Sequence, residues 1–209
     1  MVLTLIIFLA YFIGSIPTAV WLGRYFHGID VRDHGSHNAG ATNTFRILGK
    51  RLGWAVLFID VSKGAFCAIL PLFFIEYYTG FKDEELILQL FGGFSAVLGH
   101  VFPIYAGFRG GKGVATSLGI VLGINLVGAF VCILIFLIVF MTFRFVSLGA
   151  ITAAVALPFV SFFWLKEDQQ IMIIFTIMLA FVVIVAHRKN IGRLLKGEEN
   201  KMNLLKKRA

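Results

Sequence analysis

The sequence predicts an all-α polytopic membrane protein with seven transmembrane helices, and three observations predict it. Of the 209 residues, 59% are hydrophobic and only 14% charged, where soluble domains carry about 25% charged residues. Apolar runs long enough to cross a bilayer, about 20 residues each, recur from end to end. The Lys and Arg residues gather in alternate connections between those runs. One transmembrane domain over 1–209 is expected, with no room for a separate soluble one.

The elements follow in order. A first span covers about 3–23. It has no basic segment before it, and its first cation, Arg24, follows it, so it reads as a span and not as a cleaved signal peptide. Further spans are expected at about 53–76 and 86–106. From Gly113 to Phe143 the chain is apolar for too long to be one ordinary span. It is interrupted at Gly123-Ile124-Asn125 and again at Gly128. Two short helices, about 113–127 and 129–143, joined by a tight turn are expected there. A re-entrant hairpin over the same stretch leaves five crossing helices and the same parity. Spans at about 146–165 and 170–187 complete the set. Cys67 and Cys132 lie inside apolar runs and read as small packing residues.

The cations assign the sides. With loop 24–52 cytoplasmic, that side holds Arg24, Arg32, Arg46, Lys50, Arg51, Arg109, Lys112, Arg144 and the eight cations of the tail 188–209. The opposite side holds Lys82 and Lys166, and Lys63 lies within a helix. The positive-inside rule then puts the N-terminus outside and the C-terminus in the cytoplasm. The formal charge of +8 therefore describes a membrane orientation and no nucleic-acid surface. Acidic Asp83-Glu84-Glu85 and Glu167-Asp168 fall outside, and the tail, with Leu204-Leu205, suits anionic membrane lipid.

Four polar patches share the cytoplasmic side, so they can build one site. Gly35 to Arg46 packs Ser36, His37, Asn38, Thr42, Asn43 and Arg46 between apolar segments, a density of donors that suits an anion or a polyol. The alternative is a network of side-chain turns that holds the loop. In Gly107-Phe108-Arg109-Gly110-Gly111-Lys112-Gly113, glycines free the backbone to turn its N–H groups toward a ligand. A helix start then adds partial positive charge beside Lys112. The spacing is not that of a Walker loop. Arg144 and Ser147 mark the third patch; His187 and Asn190, three apart on one helix face, mark the fourth. Asp60 and Lys63 are also three apart, within a span, and a charge at that depth needs its partner; they read as a structural pair. His100 reads as a hydrogen-bonded helix residue.

Absences narrow the chemistry. No His is followed by Asp five positions on, as in the H-x4-D acyltransferases, and there is no G-x-S-x-G elbow. No Asp-rich run suits Mg²⁺ and no Cys/His spacing suits zinc, so neither metal nor cofactor is expected. A transporter is the rival class, since broken helices also build transport sites. It lacks a matching polar set on the outer side and an evident inverted repeat.

The runs GSHNAGATNTFRILGK, GHVFPIYAGFRGGKGVATSLG, RFVSLGAI and HRKNIGRLLKGEE resemble the acyl-phosphate-dependent glycerol-3-phosphate acyltransferases of bacterial inner membranes. The resemblance implies seven helices with the N-terminus outside, and transfer of a fatty acyl group from acyl phosphate to the 1-hydroxyl of glycerol 3-phosphate. The products are lysophosphatidic acid and phosphate, with the active site facing the cytoplasm. A functional link to the enzyme that makes acyl phosphate is implied too. Carried over by motif, Ser36, Asn38 and Arg46, then Gly110, Gly111, Lys112 and Gly113, then Ser147, then His187 and Asn190 are the site residues. Thr42, Asn43 and Arg144 join them as binding residues by position. Ser36, Arg46, Lys112, His187 and Asn190 are assigned to catalysis, the general base being either His187 or a substrate phosphate. Two positions depart from the family: His37 stands where Gly is usual, and Lys189 where an acidic residue is usual, with Glu199 only a weak substitute.

Overall fold

A computed structural model describes residues 2–75 and 85–202. The described residues are helical, with no strand among them. Lys82, Asp83, Glu84 and the distal tail from Asn203 to Ala209 lie outside the described residues. By packing, the chain divides into two compact units, Met1–Leu126 and Val127–Ala209.

The first unit begins with α1 (Val2–Gly14) and α2 (Thr18–His27), which together make one apolar segment of 26 residues. The expected span is therefore broken. Pro17 has no N–H to continue the ladder, and the Ile16 carbonyl accepts only the Thr18 N–H of the backbone, at 3.0 Å. Lys63 Nζ donates to that carbonyl at 3.0 Å and pairs with Asp60 at 2.8 Å. Thr18 Oγ1 donates to the same Asp60 carboxylate at 3.0 Å. The buried ion pair thus stitches the break, a structural use of charges that are costly alone at this depth.

After the first loop, α3 (Ala41–Ile47) leads into α4 (Lys50–Ile69), with a short turn α5 (Leu72–Ile75) beyond it. Phe45 of α3 lies over Gly53 of α4 and meets Trp54 edge-on at 5.3 Å. Next come α6 (Glu85–Val101), a 3-10 turn at Ile104–Ala106, and α7 (Val114–Ile124). Glycines bring these helices close, as in membrane bundles generally. A Cβ on Gly64 of α4 would overlap the backbone of Thr116 in α7, and one on Gly119 of α7 the backbone of Val61. Gly14 of α1 and Gly99 of α6 do the same for the α1–α6 contact.

The second unit holds nearly all of α8 (Leu126–Phe143), then α9 (Val146–Phe159), a π turn at Val160–Trp164, α10 (Gln170–Ala186) and α11 (Arg188–Leu195). Gly149 of α9 seats against Phe136 of α8, and α9 packs on α10. The chain bends by 64° between α10 and α11.

The expected pair of short helices needs correcting. Asn125 breaks the run, with its backbone out of the helical region, while Gly128 sits buried within α8. The helices are 11 and 18 residues long. At 1.5 Å per residue, α7 spans only about 17 Å, short of a bilayer core of about 30 Å, whereas α8 is of full length. Five segments are long and apolar enough to cross, or six if α10 and α11 are counted as one bent span. Large apolar side chains such as Phe58, Leu134, Phe163 and Phe181 are exposed, as helices facing lipid require.

Candidate active site

In the first unit, one loop is built inward from an asparagine. Asn43 is fully buried, and its Nδ2 donates to the carbonyls of Val31 (2.7 Å) and His34 (3.0 Å). Its Oδ1 accepts from Ser36 N–H at 2.9 Å. A primary amide spent this way is a staple for the loop, which is the turn-network alternative for that residue. Ser36, Asn38, Thr42 and Arg46 are half-buried around it. His37 has φ of 56°, in the left-handed region where glycine is at ease and other residues are strained. Its Nδ1 lies 3.0 Å from the Arg32 carbonyl and donates to it, which offsets the strain.

The second loop returns from α6. Gly110 and Gly111 donate their N–H groups to Val101 and His100 carbonyls at 3.2 and 3.1 Å. A Cβ on Gly110 would overlap the His100 carbonyl, and one on Gly111 the His100 ring. These two glycines are thus required by space, and their N–H groups are turned back toward α6. The first N–H groups of α7, after Lys112 and Gly113, have no intrahelical acceptors. Gly113 has φ of 78°, which sets the entry into α7.

Arg32 joins the two loops. Its Nε and Nη2 clasp both oxygens of Asp30 at 2.9 and 2.7 Å, and its Nη1 donates to the Ala106 and Arg109 carbonyls at 2.6 and 3.1 Å. The Arg32 hydrogen bonds hold the Asp30 carboxyl well below the usual carboxylate range, against the opposing pull of burial.

In the second unit, three donors converge on one carboxylate. Ser147 Oγ and Asn190 Nδ2 donate to Glu199 Oε1 at 2.9 and 2.7 Å, and Arg193 Nε to Oε2 at 2.7 Å. Burial raises the Glu199 carboxyl, but the three hydrogen bonds together hold it below its ordinary value. The backbone N–H of Met202 adds a bond to the Arg144 carbonyl at 2.9 Å. His187 is buried, and its Nδ1 donates to the Val183 carbonyl at 2.8 Å. A carbonyl only accepts, so Nδ1 carries a proton. Lys189 is exposed.

The family model for glycerol-3-phosphate acyltransferase matches residues 4–197, which takes in three of the four runs whole and the fourth up to Gly197. The chain belongs to the glycerol-3-phosphate acyltransferase family. It is 44% identical to such an enzyme of Fusobacterium nucleatum, over 93% of this chain and 95% of that one. It is 41% identical to one of Chlorobaculum parvum, over 94% and 95%. Among solved structures it is similar to PlsY (YgiH), an integral membrane glycerol 3-phosphate acyltransferase in its glycerol 3-phosphate form. The TM-score is 0.87 at 34% identity, covering 98% of both chains. A lysophosphatidic acid form of that enzyme gives a TM-score of 0.83.

The sequence puts all four patches on one side and makes Glu199 only a weak substitute, whereas in the second unit Glu199 is the carboxylate that gathers Ser147 and Asn190. Glu199 lies beyond the end of α11, after Gly197 at φ of 73°. A turn glycine followed by an acid was the available signal. Arg32 was counted only as an orienting cation; its neighbour Asp30, two residues before it, was the sign of a clasp.

Proposed function

We propose that this membrane acyltransferase takes its acyl group from acyl phosphate and transfers it to the 1-hydroxyl of glycerol 3-phosphate, releasing lysophosphatidic acid and inorganic phosphate. The observation that carries the acceptor is the likeness, along 98% of the chain, to an enzyme with glycerol 3-phosphate and lysophosphatidic acid forms. The donor reading rests on the residues. Acyl phosphate is an activated mixed anhydride, so no nucleophilic residue is required to make an acyl-enzyme, and none of the five His has the H-x4-D partner. Both substrates are phosphates, which suits a chain that devotes Arg46 and Lys112 to its polar loops.

In this reading the glycerol oxygen bonds to the acyl carbonyl carbon, and the bond from that carbon to the phosphate oxygen breaks. The hydroxyl proton passes to a phosphate oxygen of the substrate. Lys112 and the N–H groups opening α7 stabilise the oxyanion of the tetrahedral intermediate. Ser36, Asn38, Thr42 and Arg46 bind phosphate and glycerol groups in the first unit. His187 and Asn190 orient the glycerol phosphate in the second, on a frame held by Ser147, Arg144 and Glu199. Positioning of two bound reactants supplies the rest of the acceleration. The membrane is the bacterial inner membrane, with α7 as a short seventh crossing; the cation pattern supports an N-terminus outside and these loops in the cytoplasm.

The test is acyl transfer by purified protein given glycerol 3-phosphate with palmitoyl phosphate, palmitoyl-CoA or acyl carrier protein in parallel, quantifying lysophosphatidic acid and phosphate. Product from palmitoyl phosphate alone is expected. Product from the thioesters only would move the donor assignment while leaving the acyltransferase intact.

A further inference from the structure

We infer that Arg32, held by Asp30, is a positioning residue that sets the place of Lys112. The turn between the 3-10 segment and Lys112 is strained on its own. Gly107 and Phe108 follow one another in the left-handed region, at φ of 62° and 58°. That conformation is ordinary for the glycine and unfavourable for a bulky phenylalanine. Phe108, moreover, is exposed and 58% accessible, so packing of its ring does not hold the turn. A conformation of this kind persists where the surroundings over-determine it.

Within the turn Phe108 N–H donates to the Pro103 carbonyl at 2.9 Å and Arg109 N–H to the Ala106 carbonyl at 3.4 Å, and Arg32 adds a tie from a different part of the chain. One guanidinium nitrogen binds the carbonyls on both sides of the strained pair, Ala106 at 2.6 Å and Arg109 at 3.1 Å. The rest of the guanidinium is taken up by the two Asp30 oxygens. Asp30 is in turn fixed by accepting the Arg32 backbone N–H at 3.0 Å. The Arg32 carbonyl is locked by His37, so backbone and side chain are both committed. On the far side the loop is pinned by Gly110 and Gly111 to α6. Lys112 comes directly after these two anchors. A lysine in place of Arg32 has three donors on a single nitrogen and no planar fork, so it cannot clasp Asp30 through both oxygens while also binding two carbonyls in another direction.

The role rests on the proposed function of Lys112, and the experiment separates the two. The variants are Arg32→Lys, the milder Asp30→Asn, Lys112→Met, and the double variant Arg32→Lys/Lys112→Met. Each is assayed as the full chain in detergent for kcat and KM with glycerol 3-phosphate and palmitoyl phosphate, alongside thermal unfolding and amide hydrogen exchange. Arg32→Lys is expected to lower kcat/KM at least tenfold and to speed exchange in residues 107–113, with the unfolding midpoint within a few degrees of the parent. Asp30→Asn should give a smaller loss of the same kind. The double variant should be no worse than Lys112→Met alone, because residues acting through one another are not additive. Additive losses, or unchanged exchange in 107–113, would overturn the inference. A parent protein that acylates nothing would overturn the proposed function, and the exchange data would still decide whether Arg32 holds the loop.

Discussion

At the scale of single residues, polar groups here serve either the frame or the proposed site. Asn43 spends its amide on the loop, and Arg46 lies half-buried on the last turn of α3. Removing the Arg46 charge is expected to lower kcat/KM by about 10- to 100-fold, the worth of a charge-assisted hydrogen bond to phosphate. Near-parental kinetics for Arg46→Ala would remove it from the site. His187 is held by its Nδ1–H donating to the Val183 carbonyl. If it orients substrate, His187→Ala should raise KM for glycerol 3-phosphate severalfold and spare much of kcat. A collapse of kcat at unchanged KM would make His187 the base instead.

At the scale of elements, small residues decide how closely helices meet. Gly64 and Gly119 let α4 and α7 touch backbone to backbone, and no partner side chain can rotate away to admit a Cβ. Gly119→Ala is therefore expected to cost at or above the usual 1–3 kcal/mol of overpacking, roughly, read as a lowered thermal midpoint in detergent. The second unit is tied differently, through the carboxylate that links α9, α11 and the segment after it. Because the Glu199 pKa is lowered on folding from an ordinary 4.5, its stabilisation is complete above that value and is lost as pH falls through the lower folded value. Unfolding midpoints measured from roughly pH 6 to 3 should fall in the parent. In Glu199→Gln they should start lower and change less with pH.

At the scale of the whole molecule, the asymmetry of Lys and Arg carries an orientation. In a background of Cys67→Ala and Cys132→Ala, a thiol at Lys166→Cys should react with a membrane-impermeant maleimide added to intact cells. One at Arg109→Cys should react only after permeabilisation. The reverse pattern would invert the topology, and labelling of both from outside would break the span count between them. That count is where sequence and structure part. Composition, run length and cation bias were legible because lipid acts on every residue alike. The break at Ser15-Ile16-Pro17 was readable from the proline alone, yet it lay inside a run whose hydropathy never falters. At Asn125 and Gly128 two breakers competed, and only packing chose: Gly128 is buried within α8, which keeps it helical, while Asn125 stands at the end of α7.

By itself the sequence determined that this chain lives in a membrane and is all-helical, and that it carries four polar motifs of one acyltransferase family. Those properties are summed over many residues or written in contiguous runs. The tertiary structure decided which polar residues serve the frame. Arg32 and Glu199 became central, and Asp60 with Lys63 became the stitch of a broken span. Each of these roles depends on partners 47, 52, 74 or 77 residues away, a separation at which composition and local spacing are silent and only the folded path of the chain brings donor to acceptor.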